Sequence, residues 1–148
     1  MFRGSSFHTI DPKGRIIIPT RFRDVIKNSG SNSIMITRMD KCLFAYAHER
    51  WSELEQKILD LPEKSESMRR FQRTFIGAAH ECKCDAQGRV LIPPFLKQYS
   101  ELEKEIVLVG NLDRFEIWSR ANWDRENGLM EKDMGTEQVR KEIAQLGL

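Results

Sequence analysis

An aspartate is followed four residues later by an arginine at two places in the chain, as Asp11 with Arg15 and as Asp85 with Arg89. The surrounding segments match as well, because five of nine positions are identical between residues 11–19 and 85–93. The planar fork of an arginine can bond a guanine edge or clamp a phosphate, and a nearby carboxylate can orient it. The pairs are therefore either DNA-reading arginines held by an aspartate or plain ion pairs that stabilise a turn.

Two lysines lie close to these pairs, Lys13 within the first segment and Lys83 just before the second. A lysine bound to phosphate adds affinity and salt sensitivity but no sequence information. We therefore interpret Arg15 and Arg89 as candidate DNA-reading residues and the two lysines as candidate phosphate contacts. Gln87 stands where the first segment has Lys13, so the second segment has one positive charge fewer.

Each pair spans a predicted turn. Asp, Pro and Gly at the first, second and fourth positions of residues 11–14 favour a type I turn, and residues 85–88 fit the same turn without the proline. Carboxylates are too negative to face phosphate, so their expected role is to cap the turn or to orient the arginines. The residues assigned to turn support are Asp11, Gly14, Asp85 and Gly88.

Similar elements surround both turns. Apolar triplets with β propensity follow each turn and end at a proline, which is also accepted in the first turn of a helix. The first copy is predicted to contain strands over 7–10 and 16–18, a helix over 20–26 and a hairpin over 34–47. The second copy is predicted to contain strands over 81–84 and 90–92, a helix over 94–99 and a hairpin over 106–118. The chain is thus predicted to hold two copies of one small β unit.

The repeats set the predicted domain organisation. Trp51 and Trp123 close the two copies, which gives a first repeat at 5–51, a helical connector at 52–79, a second repeat at 80–123 and a C-terminal helical tail at 124–148. Apolar residues at spacings of three and four predict helices over 49–61 and 68–76, and a weaker helix over 135–146. Each repeat is small for an independent domain, so we expect the two to share a core.

Composition and charge limit the function classes. With 148 residues, 40% hydrophobic and 31% charged, the chain fits one compact protein without a membrane span, and we expect it in the cytoplasm. The net charge is only +2, but residues 1–100 hold 17 basic and 11 acidic side chains, whereas residues 101–148 hold 7 and 11. This asymmetry suits a positive surface for a polyanion, although ordinary solvated charge is the other interpretation. We interpret Arg69, Arg70 and Arg73 as ordinary solvated charge on a helix face.

Metal and enzyme chemistry have little support. His80, Cys82 and Cys84 alternate, so on a strand they could offer three ligands to zinc, but a fourth ligand is missing and small buried side chains explain the pattern as well. Reduced thiols are expected for these two cysteines and for Cys42. The sequence has no P-loop, no Gly-x-Ser-x-Gly and no His-Glu-x-x-His. We therefore expect no metal, no cofactor and no enzymatic activity.

Taken together, the chain resembles the MraZ family of transcriptional regulators, which belong to the AbrB-like, swapped-hairpin class of DNA-binding proteins. The resemblance rests on Met1–Gly4, the two Asp-x-x-Gly-Arg motifs, the Arg69-Arg70 pair, residues 77–82 and residues 108–110. It implies an α+β fold in which two tandem swapped-hairpin β units form a shared small barrel, with connecting and C-terminal helices.

The same resemblance implies a function. Members of this family bind short direct repeats in double-stranded DNA upstream of the division and cell wall gene cluster, including their own gene, and we expect this chain to do so as a repressor. It also implies a ring-shaped homo-oligomer on the nucleoid and DNA binding through the Asp11–Arg15 and Asp85–Arg89 motifs. The alternative is an oligomeric protein-interaction or antitoxin-like module on the same fold that does not read bases.

Overall fold

Both repeats follow the predicted order of strand, strand, short helix, strand, strand in the computed structural model, which describes residues 1–148. The strands are β1 (Ser5–Thr9), β2 (Arg15–Ile17), β3 (Ser33–Met39), β4 (Cys42–Ala47), β5 (His80–Lys83), β6 (Arg89–Leu91), β7 (Glu105–Asn111) and β8 (Arg114–Ser119). The helices are α1 (Thr20–Asn28), α2 (His48–Leu59), α3 (Glu66–Phe75), α4 (Pro94–Tyr99), α5 (Arg120–Asp133) and α6 (Glu137–Ala144). The α+β class and the two tandem units are confirmed.

The strands joined by each Asp-x-x-Gly-Arg turn pair with strands of the other repeat rather than with each other. In the first repeat, β1 adds to β7 of the second, and in return β5 of the second repeat adds to β3 of the first. The strands that follow the two turns, β2 and β6, form a separate antiparallel ribbon. The exchange confirms the swapped-hairpin arrangement, because neither repeat has a complete sheet without the other.

The larger sheet has six strands in the order β1-β7-β8-β4-β3-β5, and all its pairs are antiparallel. It is open, with β1 and β5 at its two edges, so the expected shared barrel does not close. The reason is the short ribbon, since β2 and β6 lie outside the larger sheet and pair as strands only with each other. The two repeats are instead joined by strand exchange around one buried face.

A single main core lies between the sheet, the ribbon and the first helix of each repeat. Ile16 and Val90, which are neighbours across the ribbon, are fully buried in it. An aromatic group formed by Phe2, Phe22 and Phe115 joins the N-terminal segment, α1 and β8, with ring centroids 4.9 to 5.3 Å apart. Since these residues come from both repeats, the predicted shared core is present.

A second, smaller core covers the other face of the sheet. Its centre is aromatic, with the rings of Trp51 and Phe75 stacked 5.6 Å apart beside Tyr46. The helices α2 and α3 each turn an apolar side towards this core, with Trp51 and Phe75 as their buried residues. The side chain of Ser65 caps α3 by accepting a hydrogen bond from the amide of Met68. The C-terminal helix α6 differs, because none of its residues is buried.

The structure gives no support to a metal site. Cys82 and Cys84 are buried whereas His80 is exposed, with its ring centroid 5.1 Å from that of Phe95. Burial raises the pKa of the Cys82 thiol to about 11, which keeps it protonated near neutral pH. No three His, Cys, Asp or Glu side chains are grouped in a way that could hold a metal ion.

None of the six helices has the length and apolarity needed to cross a membrane.

Candidate nucleic-acid interface

The carboxylate of Asp11 organises the whole first turn. Its Oδ1 accepts hydrogen bonds from the backbone amides of Lys13 and Arg15, at 2.9 and 2.8 Å, and its Oδ2 accepts from Arg15 Nε at 2.6 Å. The amide of Gly14 donates to the Asp11 carbonyl at 2.9 Å, which is the hydrogen bond of the predicted turn. The aspartate therefore fixes the backbone and the arginine side chain together.

The second turn repeats this geometry although two of its residues differ. Asp85 Oδ1 accepts from the amides of Gln87 and Arg89 at 2.9 Å each, and Asp85 Oδ2 accepts from Arg89 Nε at 2.8 Å. The amide of Gly88 donates to the Asp85 carbonyl at 3.0 Å. Proline and lysine are thus dispensable for the turn, whereas aspartate, glycine and arginine form it in both copies.

Both carboxylates are stabilised in their charged form. The backbone amide of Arg15, followed by its guanidinium, lowers the pKa of Asp11 below the ordinary value. The amide and guanidinium of Arg89 lower the pKa of Asp85 in the same way. A carboxylate that accepts several hydrogen bonds resists protonation, so each arginine keeps a charged acceptor at neutral pH.

The ribbon places the two arginines on one face. Arg15 pairs across it with Leu91 and Arg89 pairs with Ile17, so these four side chains alternate with the buried Ile16 and Val90. Arg15 and Arg89 are then diagonal neighbours, for which a separation of roughly 7–8 Å is typical. The swap of the strands brings together two residues that are far apart in the sequence.

Each guanidinium uses only part of its hydrogen-bonding capacity within the chain. Nε of Arg15 and of Arg89 binds the aspartate of its own turn, and the two Nη atoms of each make no hydrogen bond to the protein. About a third of each arginine side chain is exposed, 32% and 30% respectively. The outer edge of each fork is therefore held in position and available to an external acceptor.

The two candidate lysines lie in different places. Lys13 is exposed within the first turn, next to the Asp11–Arg15 pair, whereas Lys83 is exposed on β5, an edge strand of the larger sheet. Neither lysine forms an ion pair. Lys13 therefore accompanies the arginine face of the ribbon, and Lys83 lies at the end of the strand that leads into the second turn.

A further cation, Arg23 of α1, lies against the second turn and was missed by the sequence analysis. Its Nε donates to the Ile18 carbonyl at 3.1 Å and its Nη2 to Thr20 Oγ1 at 2.9 Å, while the guanidinium covers Gly88 so closely that a Cβ there would lie 2.8 Å from Nη1. Arg23 has no carboxylate partner. The turn that has Gln87 in place of a lysine thus receives a cation from the other repeat.

The arginines of α3 behave as a solvated helix face. Arg70 forms an exposed ion pair with Glu66 at 2.6 Å, and Arg69 Nη1 donates to the Lys64 carbonyl at 2.7 Å. Arg73 is exposed. These contacts are local to α3 and the residues just before it, whereas the ribbon arginines belong to a repeated and ordered arrangement.

Known proteins resemble the chain over its whole length. A family model described as "MraZ protein, putative antitoxin-like" matches residues 1–74 and again residues 75–139. A protein of Desulforapulum autotrophicum is 60% identical over 148 residues, covering all of both chains, and one of Desulfosudis oleivorans is 54% identical with the same coverage. A protein of Syntrophobacter fumaroxidans is 46% identical over 83% of this chain and 82% of its own.

All three relatives bear the name transcriptional regulator MraZ. The two family-model matches divide the chain close to the start of β5, in keeping with two copies of one unit. Identity at this level over the full chain, together with the doubled family match, settles the assignment. The chain belongs to the MraZ family of transcriptional regulators.

Proposed function

We propose that this chain is a sequence-specific DNA-binding transcriptional regulator. It binds short direct repeats in double-stranded DNA upstream of the division and cell wall gene cluster, which includes its own gene, and represses that cluster. It acts in the cytoplasm on the nucleoid and needs no cofactor. Membership of the MraZ family supports the regulatory class, and the geometry of the ribbon supports the mode of DNA binding.

The arrangement of Arg15 and Arg89 is the observation that carries the proposal. The two forks are on one ribbon face, each is oriented by a charged aspartate, and each keeps its Nη atoms free. A two-stranded β ribbon fits the major groove, where an arginine can bond O6 and N7 of guanine together. We assign base reading to the arginines and their orientation to Asp11 and Asp85.

Positive charge around the two turns provides the contacts to phosphate. Lys13 lies in the first turn, Arg23 covers the second, and Lys83 precedes it on β5. Contacts of this kind fix the position of the protein on the duplex and make its affinity depend on salt. Gly14 and Gly88 support these contacts indirectly, because their positive φ angles of 88° and 75° close the turns.

Assembly multiplies the DNA contacts. The larger sheet ends in the strands β1 and β5, which have unpaired outer edges in a single chain, and such edges favour association. We propose a ring-shaped homo-oligomer in which several ribbons contact neighbouring DNA repeats. Individually weak contacts then add through effective concentration when the spacing of the sites matches that of the subunits.

The test of base reading compares wild type with Arg15→Ala, Arg89→Ala, Arg15→Lys and Arg89→Lys. Binding to the chain's own upstream duplex and to a scrambled duplex is measured at two salt concentrations, and circular dichroism checks the fold. Loss of one bidentate base contact is worth about 1–3 kcal/mol, so each alanine variant is expected to lose roughly tenfold or more in specific affinity.

The lysine variants should keep salt-dependent binding to scrambled DNA but lose discrimination, since lysine keeps the charge and not the fork. Arg69→Ala is the matched control and should bind as wild type does, because Arg69 is on the solvated face of α3. Folded Arg15→Ala and Arg89→Ala variants that bind the upstream DNA normally would refute the assignment.

Oligomeric binding is tested with duplexes that carry one repeat or several repeats in register. Much weaker binding to the single repeat is expected, with sedimentation reporting the size of the oligomer. Equal affinity for both duplexes would contradict the proposed multivalent binding.

An alternative function is an antitoxin-like or protein-interaction module, which the description of the matched family favours. The exposed apolar side chains of the ribbon, Ile17 and Leu91, could serve a protein partner as well as DNA. The alternative predicts that wild type does not distinguish its upstream DNA from scrambled duplex but still binds a protein partner through this face.

A further inference from the structure

The exposed face of the ribbon carries two large aliphatic side chains at equivalent positions of the two repeats. Ile17 is 55% exposed and Leu91 is 56% exposed. Their neighbours along the strands, Ile16 and Val90, have no exposed surface, so the ribbon already has a complete buried face. Packing within the chain therefore does not account for the apolar character of Ile17 and Leu91.

These two residues are interleaved with the arginines. Ile17 lies opposite Arg89 and Leu91 lies opposite Arg15, which gives a small surface of two cations and two aliphatic groups. The Leu91 side chain also lies near Gly14, as its Cδ1 is 3.8 Å from the position that a Cβ would take there. Each aliphatic group is thus within one strand spacing of a candidate base-reading arginine.

Charge complementarity determines which occupant fits this surface. An apolar patch framed by two unpaired guanidinium edges suits a ligand that offers acceptor atoms next to apolar groups. The major-groove edge of DNA has this composition, since guanine provides O6 and N7 and thymine provides a C5-methyl group. The ribbon is also narrow enough to enter that groove.

We propose that Ile17 and Leu91 contact thymine methyl groups and so determine specificity at the base pairs next to those read by Arg15 and Arg89. This inference rests on the proposed function, because it requires the ribbon to face the major groove. It extends that function by predicting a preferred site in which thymine stands beside guanine in each half of the contacted region.

Replacement of thymidine by deoxyuridine tests the contact directly, because the two nucleosides differ only in the C5-methyl group of the base. Wild type, Ile17→Ala and Leu91→Ala are bound to the upstream duplex and to copies in which single thymines are replaced. Wild type should lose about three- to fourfold in affinity at a contacted thymine, as expected for one buried methyl-sized group. The variant that lacks the contacting side chain should bind both duplexes equally.

Leu59→Ala is the matched control, since Leu59 is 69% exposed at the end of α2, outside the ribbon. It should respond to deoxyuridine as wild type does. All variants are more than half exposed at the changed residue, so they should fold, and circular dichroism verifies this.

Three results would overturn the inference. One is a wild type that is insensitive to every deoxyuridine replacement while Arg15→Ala and Arg89→Ala still lose specific binding, which would leave the proposed function intact. Another is an Ile17→Ala or Leu91→Ala variant with an altered oligomeric state, which would assign the patch to a contact between subunits. The last is a wild type that does not prefer its upstream DNA to scrambled duplex, which would remove the proposed function itself.

Discussion

The guanidinium of Arg23, a residue of the first repeat, covers the backbone of Gly88 in the second repeat. Gly14, the equivalent of Gly88, has only the Ile92 carbonyl and the Leu91 side chain near the position of a Cβ. The two turns are thus alike in their hydrogen bonds but unlike in their surroundings. A substitution at either glycine therefore has the backbone cost of a positive φ, but only a substitution at Gly88 also affects Arg23.

Gly88→Ala and Gly14→Ala should both destabilise the protein, Gly88→Ala somewhat more, and they should differ in DNA binding. Both glycines have a positive φ, which costs a residue with a Cβ roughly 1–2 kcal/mol. Only at Gly88 would the new Cβ also displace Arg23. Thermal unfolding should therefore show a loss for both variants, with an added cost for Gly88→Ala because Arg23 gives up its hydrogen bonds to Ile18 and Thr20. DNA titration should show an additional loss of affinity for Gly88→Ala. Equal DNA affinities of the two folded variants would contradict a role of Arg23 in binding.

Arg23→Gln should weaken binding to upstream and scrambled DNA by similar factors and reduce the slope of log affinity against log salt by about 1. The reason is that a phosphate contact releases a counterion but reads no base. Lys97→Gln, at the equivalent position of α4, is the control, because Lys97 does not contact Gly14. An unchanged salt slope with altered base preference would show that Arg23 reads bases instead.

Asp11→Asn combined with Asp85→Asn should remove a pH-dependent part of the stability. In the folded chain the pKa of each carboxyl group is lowered by the hydrogen bonds from its arginine. Their stabilisation is therefore fully present above the unfolded pKa, near 3.8, and is lost as pH falls through the lower folded pKa. Urea unfolding should show that wild type is more stable than the double variant at neutral pH. This difference in unfolding free energy should shrink as the pH falls below about 3.8.

Asp24→Asn provides the control for the pH experiment, since Asp24 is exposed and forms no ion pair. Its unfolding free energy should follow that of wild type across the range. A stability difference between wild type and the double variant that stays constant from neutral to acidic pH would argue against the two ion pairs as its source.

Phe2→Ala should destabilise the chain by about 3 kcal/mol, in the range expected for truncating a buried aromatic side chain. Phe2 is only 2% exposed and its ring contacts Phe22 of the first repeat and Phe115 of the second. Phe7→Ala, at a residue that is 61% exposed, is the control and should cost much less. Equal losses in chemical denaturation would show that the N-terminal segment does not join the two repeats.

Much of the local structure could be predicted from the sequence. Turn residues such as Asp11 and Gly14 have strong local preferences, and the prolines at 19 and 93 limit the strands, so the elements of both repeats were predicted close to their positions. The pairing of each aspartate with its arginine was common to both interpretations of the motif, and the structure shows the ion pair in both copies. Its role in reading DNA stays a prediction.

Other features depended on contacts between distant residues. The resemblance to a known family, and not the spacing of residues, indicated the exchange of strands, while the open sheet replaced the expected barrel. The helix α5 was not delimited, because it has no apolar stripe and Asn122 is its only buried residue. Arg23 was missed for a different reason. A helix of one repeat reaches the turn of the other only after the strands have exchanged, and no local sequence pattern indicates this contact.

The sequence by itself determined the repeated turns, the order of the elements and the residue types that can bind DNA. These follow from local backbone preferences and from short-range hydrogen bonds, which act within four residues. The tertiary structure alone decided that Arg15 and Arg89 share one face and that Ile17 and Leu91 lie between them. That arrangement needs the ribbon to pair across the repeats, which is stabilised by the burial of Ile16 and Val90 in a core that neither repeat can form alone.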